Sequence, residues 1–204
     1  MTKVFFIRHA QSLANVERRY QGQSLDTELS EFGVQQAQAL AGQLRSQSLS
    51  KVVTSPLKRA HQTAEIIATA LGIPLEIDPL LIETNHGEWE GQKFTDLETN
   101  YPDLWKYWQT YPSRMVFPGG EAFADVAARV LSWWKKEAVN YPAHTAIVTH
   151  DTIIQAILTR LHKLNLDHIR DFRIRNTSTT IVELTRPPKV LTIGDISHLA
   201  DYSL

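Results

Sequence analysis

The 204-residue chain contains no cysteine and only two methionines. Without cysteine there can be no disulfide, no thiolate nucleophile and no thiolate-bound zinc. That composition accords with a cytoplasmic protein. Charge of one sign is lacking too: 21 Lys and Arg oppose 22 Asp and Glu, for a formal net charge of -1. No global basic field exists, so a nucleic-acid partner is disfavoured, and an anion site must come from locally clustered Arg and His. Long apolar runs are missing as well. The run Val4, Phe5, Phe6, Ile7 is too short for a signal peptide and stops at Arg8. No stretch approaches the length of a membrane span, and no repeat, low-complexity tract or linker stands out. What remains is 43% hydrophobic and 21% charged residues, the balance of one soluble globular domain that can bury a core.

The pattern alternates strands and helices. Residues 3–7 read as a buried strand. Residues 30–47 read as a helix, with Ser30 as its cap and Val34, Ala37, Leu40, Ala41 and Leu44 on one face. A strand at 51–55 is followed by a helix that Pro56 should open and Gly72 should close. A short strand at 75–77, a long helix at 121–139, a strand at 144–150 and a helix at 152–162 come next, and β-rich segments at 178–184 and 190–196 follow. This order predicts an α/β fold, a three-layer α/β/α sandwich with a mostly parallel sheet. The expected organisation is a single domain over 1–204, with a lid-like insert at about 84–120. That insert is rich in aromatics (Trp89, Trp105, Tyr107, Trp108, Tyr111). It reads equally as a cap over a site or as a helical excursion with its own small core.

Arg8-His9 and His150 each end a strand, and in open α/β sheets ligands bind beyond the carboxyl ends of strands. Arg59 lies in the first turns of a helix after another strand, at the same end. Two guanidinium and two imidazole groups around one point predict a phosphoryl ligand, because guanidinium pairs with phosphate oxygens and stays charged. Taken singly, each such residue is more often a surface charge or a structural histidine; their shared position on one rim is what favours function. The eight histidines show no H-E-x-x-H pattern. His61, His144, His162 and His168 read as structural or exposed.

Five ordered segments resemble the histidine phosphatase superfamily, the phosphoglycerate-mutase-like proteins. They are "RHAQSLAN", "YQGQSLDTELSEFGVQQAQAL", "TSPLKRAHQTAEIIA", "LIETNHGEWEG" and "AIVTHD", spread over residues 4–160. Ala10-Gln11, Glu28 and Asp151 depart from the family's usual Gly-Glu, Pro and Gly. The resemblance implies that His9 is a nucleophile that becomes phosphorylated. Arg8, Arg59 and His150 would hold the phosphoryl oxygens, joined by Asn15 and by Gln21 and Gly22 of the second segment. Glu83 would be the proton donor to the leaving alkoxide and then the base for water. Asp151 would stand near the anion site unless it turns away as a helix cap. No metal and no cofactor are implied, because the arginines supply the charge.

The compact length and "HGEWEG" resemble the phosphatase branch rather than the cofactor-dependent mutases. "RYQG", "FPGGEAFADVAARV" and the late "SHL" resemble metal-independent phosphoserine phosphatases. On that resemblance His86 and His198 would meet the substrate's non-phosphate end and donate to a carboxylate. The expected partner is a small-molecule phosphomonoester, most of all L-phosphoserine, with no nucleic acid and no membrane; a homodimer is allowed. Broad-specificity phosphatase, α-ribazole phosphatase, phosphoglycerate mutase and an inactive phospho-ligand-binding relative are the alternatives.

Overall fold

The structure is a computed structural model and describes residues 1–200. Strand β1 (Lys3–Arg8) is followed by a single-turn helix α1 (Leu13–Val16) and the long helix α2 (Glu31–Leu44). Next come β2 (Lys51–Thr54), α3 (Lys58–Leu71) and β3 (Leu75–Ile77). Helices α4 (Phe94–Asn100), α5 (Pro102–Thr110) and α6 (Phe123–Lys136) precede β4 (Thr145–Thr149) and α7 (Asp151–Leu161). Strands β5 (Thr179–Glu183) and β6 (Lys189–Asp195) complete the sheet.

The six strands run in the order β3-β2-β4-β1-β5-β6. The first four are mutually parallel, and β5 lies antiparallel to β1 and β6 to β5. Strand β1 is buried on both faces, and its alternate side chains feed two cores. Phe5 and Ile7 pack with Leu40, Ala41 and Leu44 of α2 and with Ala60, Ala64 and Ile67 of α3. Val4 and Phe6 face Val126, Val130 and Trp133 of α6 and Ile154 and Ile157 of α7. Helices therefore cover both faces of a mostly parallel sheet, as the alternation predicts.

Several boundaries differ from the sequence reading. Ser30 caps α2 through the Gly33 N–H, as expected. Pro56 does not open α3, which starts at Lys58. The carboxylate of Asp26, 32 residues upstream, accepts from the Lys58 N–H at 2.9 Å and serves as a cap that local pattern could not reveal. Gly72 closes that helix at φ +66°. Helix α6 is shorter than predicted, because its last turn gives way to a 3₁₀ turn at Ala138–Asn140. Residues 84–120 hold α4 and α5 with 3₁₀ turns at Gly87–Trp89 and Pro112–Arg114. Their Trp89, Leu97, Trp108, Met115 and Phe117 are continuous with the α6/α7 core, not a separate one. Among the described residues no helix is long and apolar enough to cross a membrane.

The register fixes where the chemistry sits. Arg8 lies opposite Thr149 and Thr54 opposite Val148, so β1, β4 and β2 end along one rim. The His9 N–H extends the ladder to the Thr149 carbonyl at 2.9 Å, and the Ser55 N–H reaches Val148 at 3.0 Å.

Candidate active site

A cavity of about 170 Å³ opens on that rim. Arg8, His9, Asn15, Gln21, Arg59 and Glu83 line it. The strands deliver His9 and His150 with ring centroids 5.3 Å apart and planes at 60°.

The tautomer of His9 follows from its neighbour. Its Nδ1 lies 2.7 Å from the Ala10 carbonyl, which can only accept, so Nδ1 carries the hydrogen. Burial, then the Arg59 and Arg8 charges, hold this imidazole well below its usual pKa. A neutral ring leaves Nε2 with a free lone pair. The loop around it is pinned from three sides. The Ala10 N–H donates to Thr63 of α3 at 3.0 Å, Asn176 Nδ2 donates to the His9 carbonyl at 3.0 Å, and the Thr177 N–H reaches the Arg8 carbonyl at 3.0 Å.

His150 is fully buried, and burial, with Arg59 second, pushes its pKa far down too. Its Nε2 lies 2.8 Å from Ser55 Oγ, which itself accepts from the Leu57 N–H. The Ser55 hydroxyl can donate to Nε2 or accept from it; where it donates, Nδ1 carries the ring hydrogen. Among the described residues that Nδ1 has no hydrogen-bond partner, and it sits 4.0 Å from Glu83 Oε2. In that tautomer two neutral histidines present opposite functions, a lone pair on His9 and an N–H on His150.

The guanidinium groups are held rigidly. Arg59, fully buried, donates to the Gly22 carbonyl at 2.9 Å and lies 3.4 Å from Asp26. Arg8 donates to the Ile174 carbonyl at 2.8 Å and lies 3.4 Å from Asp151. Among the described residues the Nε of each has no hydrogen-bond partner. Asn15 Oδ1 accepts from the Ser12 N–H and from Asn176, which leaves its Nδ2 as the free donor. Gln21 Oε1 accepts from Ser12 Oγ at 3.0 Å and leaves its amide N–H groups free in the same way.

Glu83 is 4% exposed. Its Oε1 accepts from the Thr84 N–H at 2.7 Å and from the Thr152 hydroxyl by a short hydrogen bond. Burial and then the nearby Asp151 charge push its pKa up to about 7, against the pull of those two donors. The carboxyl is therefore poised to give and take a proton near neutrality. Arg129 braces the approach to Glu83, donating to the Leu80 and Ile82 carbonyls at 2.7 and 2.9 Å.

Three expectations need correction. Gly22 does not line the cavity. Its carbonyl holds Arg59, and a Cβ there would lie 2.0 Å from Glu90 Oε1, so the position serves close packing. Glu90 in turn accepts from the Gln23, Leu25 and His86 N–H groups and ties the two loops together. His198 is not brought to the cavity. Its Nε2 donates to Thr177 Oγ1 at 3.0 Å, behind the His9 loop, because Thr177 spends its own hydrogen on the Asn176 carbonyl. His86 does line the cavity, but as an acceptor. Its Nδ1 donates to the Gln21 carbonyl at 2.8 Å, and burial above all pushes its pKa down to about 4. The neutral ring, held edge-on by Tyr20 and Phe117, keeps an Nε2 lone pair with no partner among the described residues, and it cannot donate to a carboxylate. Asp151 is the first residue of α7, makes no cap, and faces Arg8 across the cavity.

Sequence reasoning missed Ser55, Thr152, Trp108 and Arg170. Ser55 sits inside the quoted "TSPLKRA" segment and Thr152 directly after Asp151, so both were within reach of a closer look. Arg170 and Trp108 carry no motif; only the tertiary fold brings them to the cavity, which they line with Phe94 and Trp105.

Comparison with known proteins agrees with this geometry. Residues 4–193 match the histidine phosphatase superfamily (branch 1). The chain is 31% identical over 204 residues to phosphoserine phosphatase 1 of Hydrogenobacter thermophilus, covering 99% of this chain and 96% of that protein. It is 32% identical to a probable phosphoglycerate mutase, GpmB, of Erwinia tasmaniensis, covering 100% and 98%. The solved structure of mycobacterial glucosyl-3-phosphoglycerate phosphatase with VO3 superposes with a TM-score of 0.86 at 29% identity, covering 95% of this chain and 99% of that one.

Proposed function

Because the chain belongs to branch 1 of the histidine phosphatase superfamily, we propose that it is a phosphatase that hydrolyses L-phosphoserine through a phosphohistidine at His9 and without a metal. The observation that carries the chemistry is the Ala10 carbonyl on His9 Nδ1, which leaves the Nε2 lone pair free in a cavity lined by Arg8 and Arg59.

In the first step His9 Nε2 attacks phosphorus and the bond to the ester oxygen breaks. Arg8, Arg59, Asn15 and the His150 Nδ1–H take the phosphoryl oxygens, aimed before the charge develops. The protonated Glu83 gives its proton to the leaving alkoxide. In the second step the ionised Glu83 takes a proton from water, whose oxygen attacks phosphorus. The P–N bond breaks, the electron pair returns to Nε2, and inorganic phosphate leaves. A carboxyl with a pKa of about 7 can fill both roles at neutral pH.

Support for phosphoserine comes from the 31% identical phosphoserine phosphatase and from the rest of the cavity lining. There the His86 Nε2 lone pair and the Asp151 carboxylate are two acceptors for an ammonium group. Phosphoglycerate mutase is the second reading, favoured by the equally similar probable mutase.

The test is a panel of L-phosphoserine, 3-phosphoglycerate, sugar phosphates and α-ribazole phosphate, run with excess EDTA. Release of phosphate fastest from L-phosphoserine is expected, with activity surviving chelation. His9→Ala should lose activity by orders of magnitude while staying folded, and acid quenching of the wild type should trap an acid-labile, base-stable phosphoenzyme. Isomerisation of 3-phosphoglycerate in place of hydrolysis would favour the mutase. Loss of activity in EDTA with recovery in magnesium would refute the metal-free mechanism.

A further inference from the structure

Arg170 lies in the 3₁₀ segment Leu166–Asp171, outside the five family segments, yet it lines the cavity with His9 and Glu83. Its guanidinium carbon stacks 4.8 Å from the centre of the Trp108 ring, and one N–H donates to the Trp108 carbonyl at 3.3 Å. Trp108 is itself locked, because its indole N–H donates to the Tyr20 hydroxyl at 2.8 Å and its ring packs on Phe117 and Phe123. The cation is thus held in place by a rigid aromatic shelf.

What Arg170 lacks is an anion in direct contact; the Asp151 carboxylate on the same cavity acts on it only through its charge. Among the described residues it makes no ion pair, whereas Arg8 meets Asp151, Arg59 meets Asp26, and Arg19 meets Glu17 at 2.6 Å. Arg19 also lines the cavity, but Glu17 and the Gly91 carbonyl already occupy it. Among the described residues, Arg170 is the lining guanidinium with neither a carboxylate in salt-bridge contact nor a role assigned above on the phosphoryl group. An immobilised guanidinium with free N–H groups matches a planar carboxylate by paired hydrogen bonds.

We propose that Arg170 is the anchor for a carboxylate on the non-phosphate end of the substrate, with Trp108 as its positioning shelf. The assignment builds on the phosphatase reading above and replaces the histidine pair expected from sequence. It also gives the cavity three complementary parts: phosphoryl donors at His9, acceptors for an ammonium at His86 and Asp151, and a cation for a carboxylate at Arg170. Together they fit the head of an α-amino acid.

The experiment uses matched substrates: L-phosphoserine against phosphoethanolamine, and 3-phosphoglycerate against glycerol 1-phosphate, each pair differing at the carboxylate, with para-nitrophenyl phosphate as a reference. Losing a charge-assisted hydrogen bond should cost Arg170→Ala about ten- to a hundredfold in kcat/KM on the two carboxylates, mainly through KM. The other three substrates should stay within about twofold. Arg170→Lys should recover part of the loss, since it keeps the charge without the planar fork. An equal loss on all five substrates would show a merely structural role and overturn the proposal, as would no loss at all. If the wild type prefers 3-phosphoglycerate to L-phosphoserine, the phosphoserine reading fails while the Arg170 ratio still decides this inference. If the wild type prefers L-phosphoserine and the ratio does not move, Arg170 alone is refuted. No preference for the carboxylated member of either pair would overturn both.

Discussion

Thr152→Val removes one hydroxyl and nothing else of comparable size from the Glu83 site. That hydroxyl donates to Glu83 Oε1, beside the Thr84 N–H on the same oxygen. Both bonds favour the ionised carboxylate, so losing one must move the pKa upward from about 7. A hydrogen bond to a charged group is worth about 1.5–3 kcal/mol, and one pKa unit is about 1.4 kcal/mol, so the shift is about one to two units. At pH 7.5 the ionised fraction of Glu83 would fall from roughly three quarters to roughly a quarter or less, slowing the water-activation step by about three-fold or more. Formation of the phosphoenzyme from para-nitrophenyl phosphate needs no proton from Glu83 and should keep its rate. Stopped-flow at pH 7.5 should therefore show a burst of para-nitrophenolate near one equivalent, followed by a slowed steady state. The pH profile of that steady state should move to the alkaline side by about one to two units, and Thr152→Ser should return it. Asp151→Asn is the control of opposite sign, because the Asp151 charge raises Glu83. A profile that stays put in Thr152→Val, or moves to the acid side, would refute the assignment of Glu83 as the base.

Glu83→Gln should cost far more on L-phosphoserine, whose alkoxide needs a proton, than on para-nitrophenyl phosphate in phosphoenzyme formation; equal losses in that step would count against the acid role. Stability should fall as the pH drops. His9, His86 and His150 are buried and neutral, with folded pKa values below the unfolded 6.5, so their contribution is full above 6.5 and is lost as the pH falls toward the folded values. His86 alone, pushed from 6.5 to about 4, accounts for about 3 kcal/mol of this loss. Glu83, raised from 4.5 to about 7, acts oppositely, contributing fully below 4.5 and less as the pH rises through 7. Urea midpoints measured from pH 7 down to pH 4 should decline; a flat or rising series would refute the neutral, buried state of the histidines.

The sequence by itself determined the α/β alternation and the rim on which the site sits. Strand-to-helix junctions are local events, written in short apolar runs that end at Arg8-His9 and at His150, and parallel strands must end on the same side. It also carried the residues proposed to handle phosphate, because their segments keep a recognisable order. It could not reveal that Asp26 caps α3, that His198 faces Thr177 and not the substrate, or that Arg170 reaches the cavity over Trp108. Those contacts join positions far apart in the chain, and only packing decides which of them meet. The polarity of the histidines belongs to the tertiary structure for the same reason. An imidazole is donor or acceptor according to the partner on its other nitrogen, and the Ala10 carbonyl, the Gln21 carbonyl and the Ser55 hydroxyl take up that position only once the loops are folded.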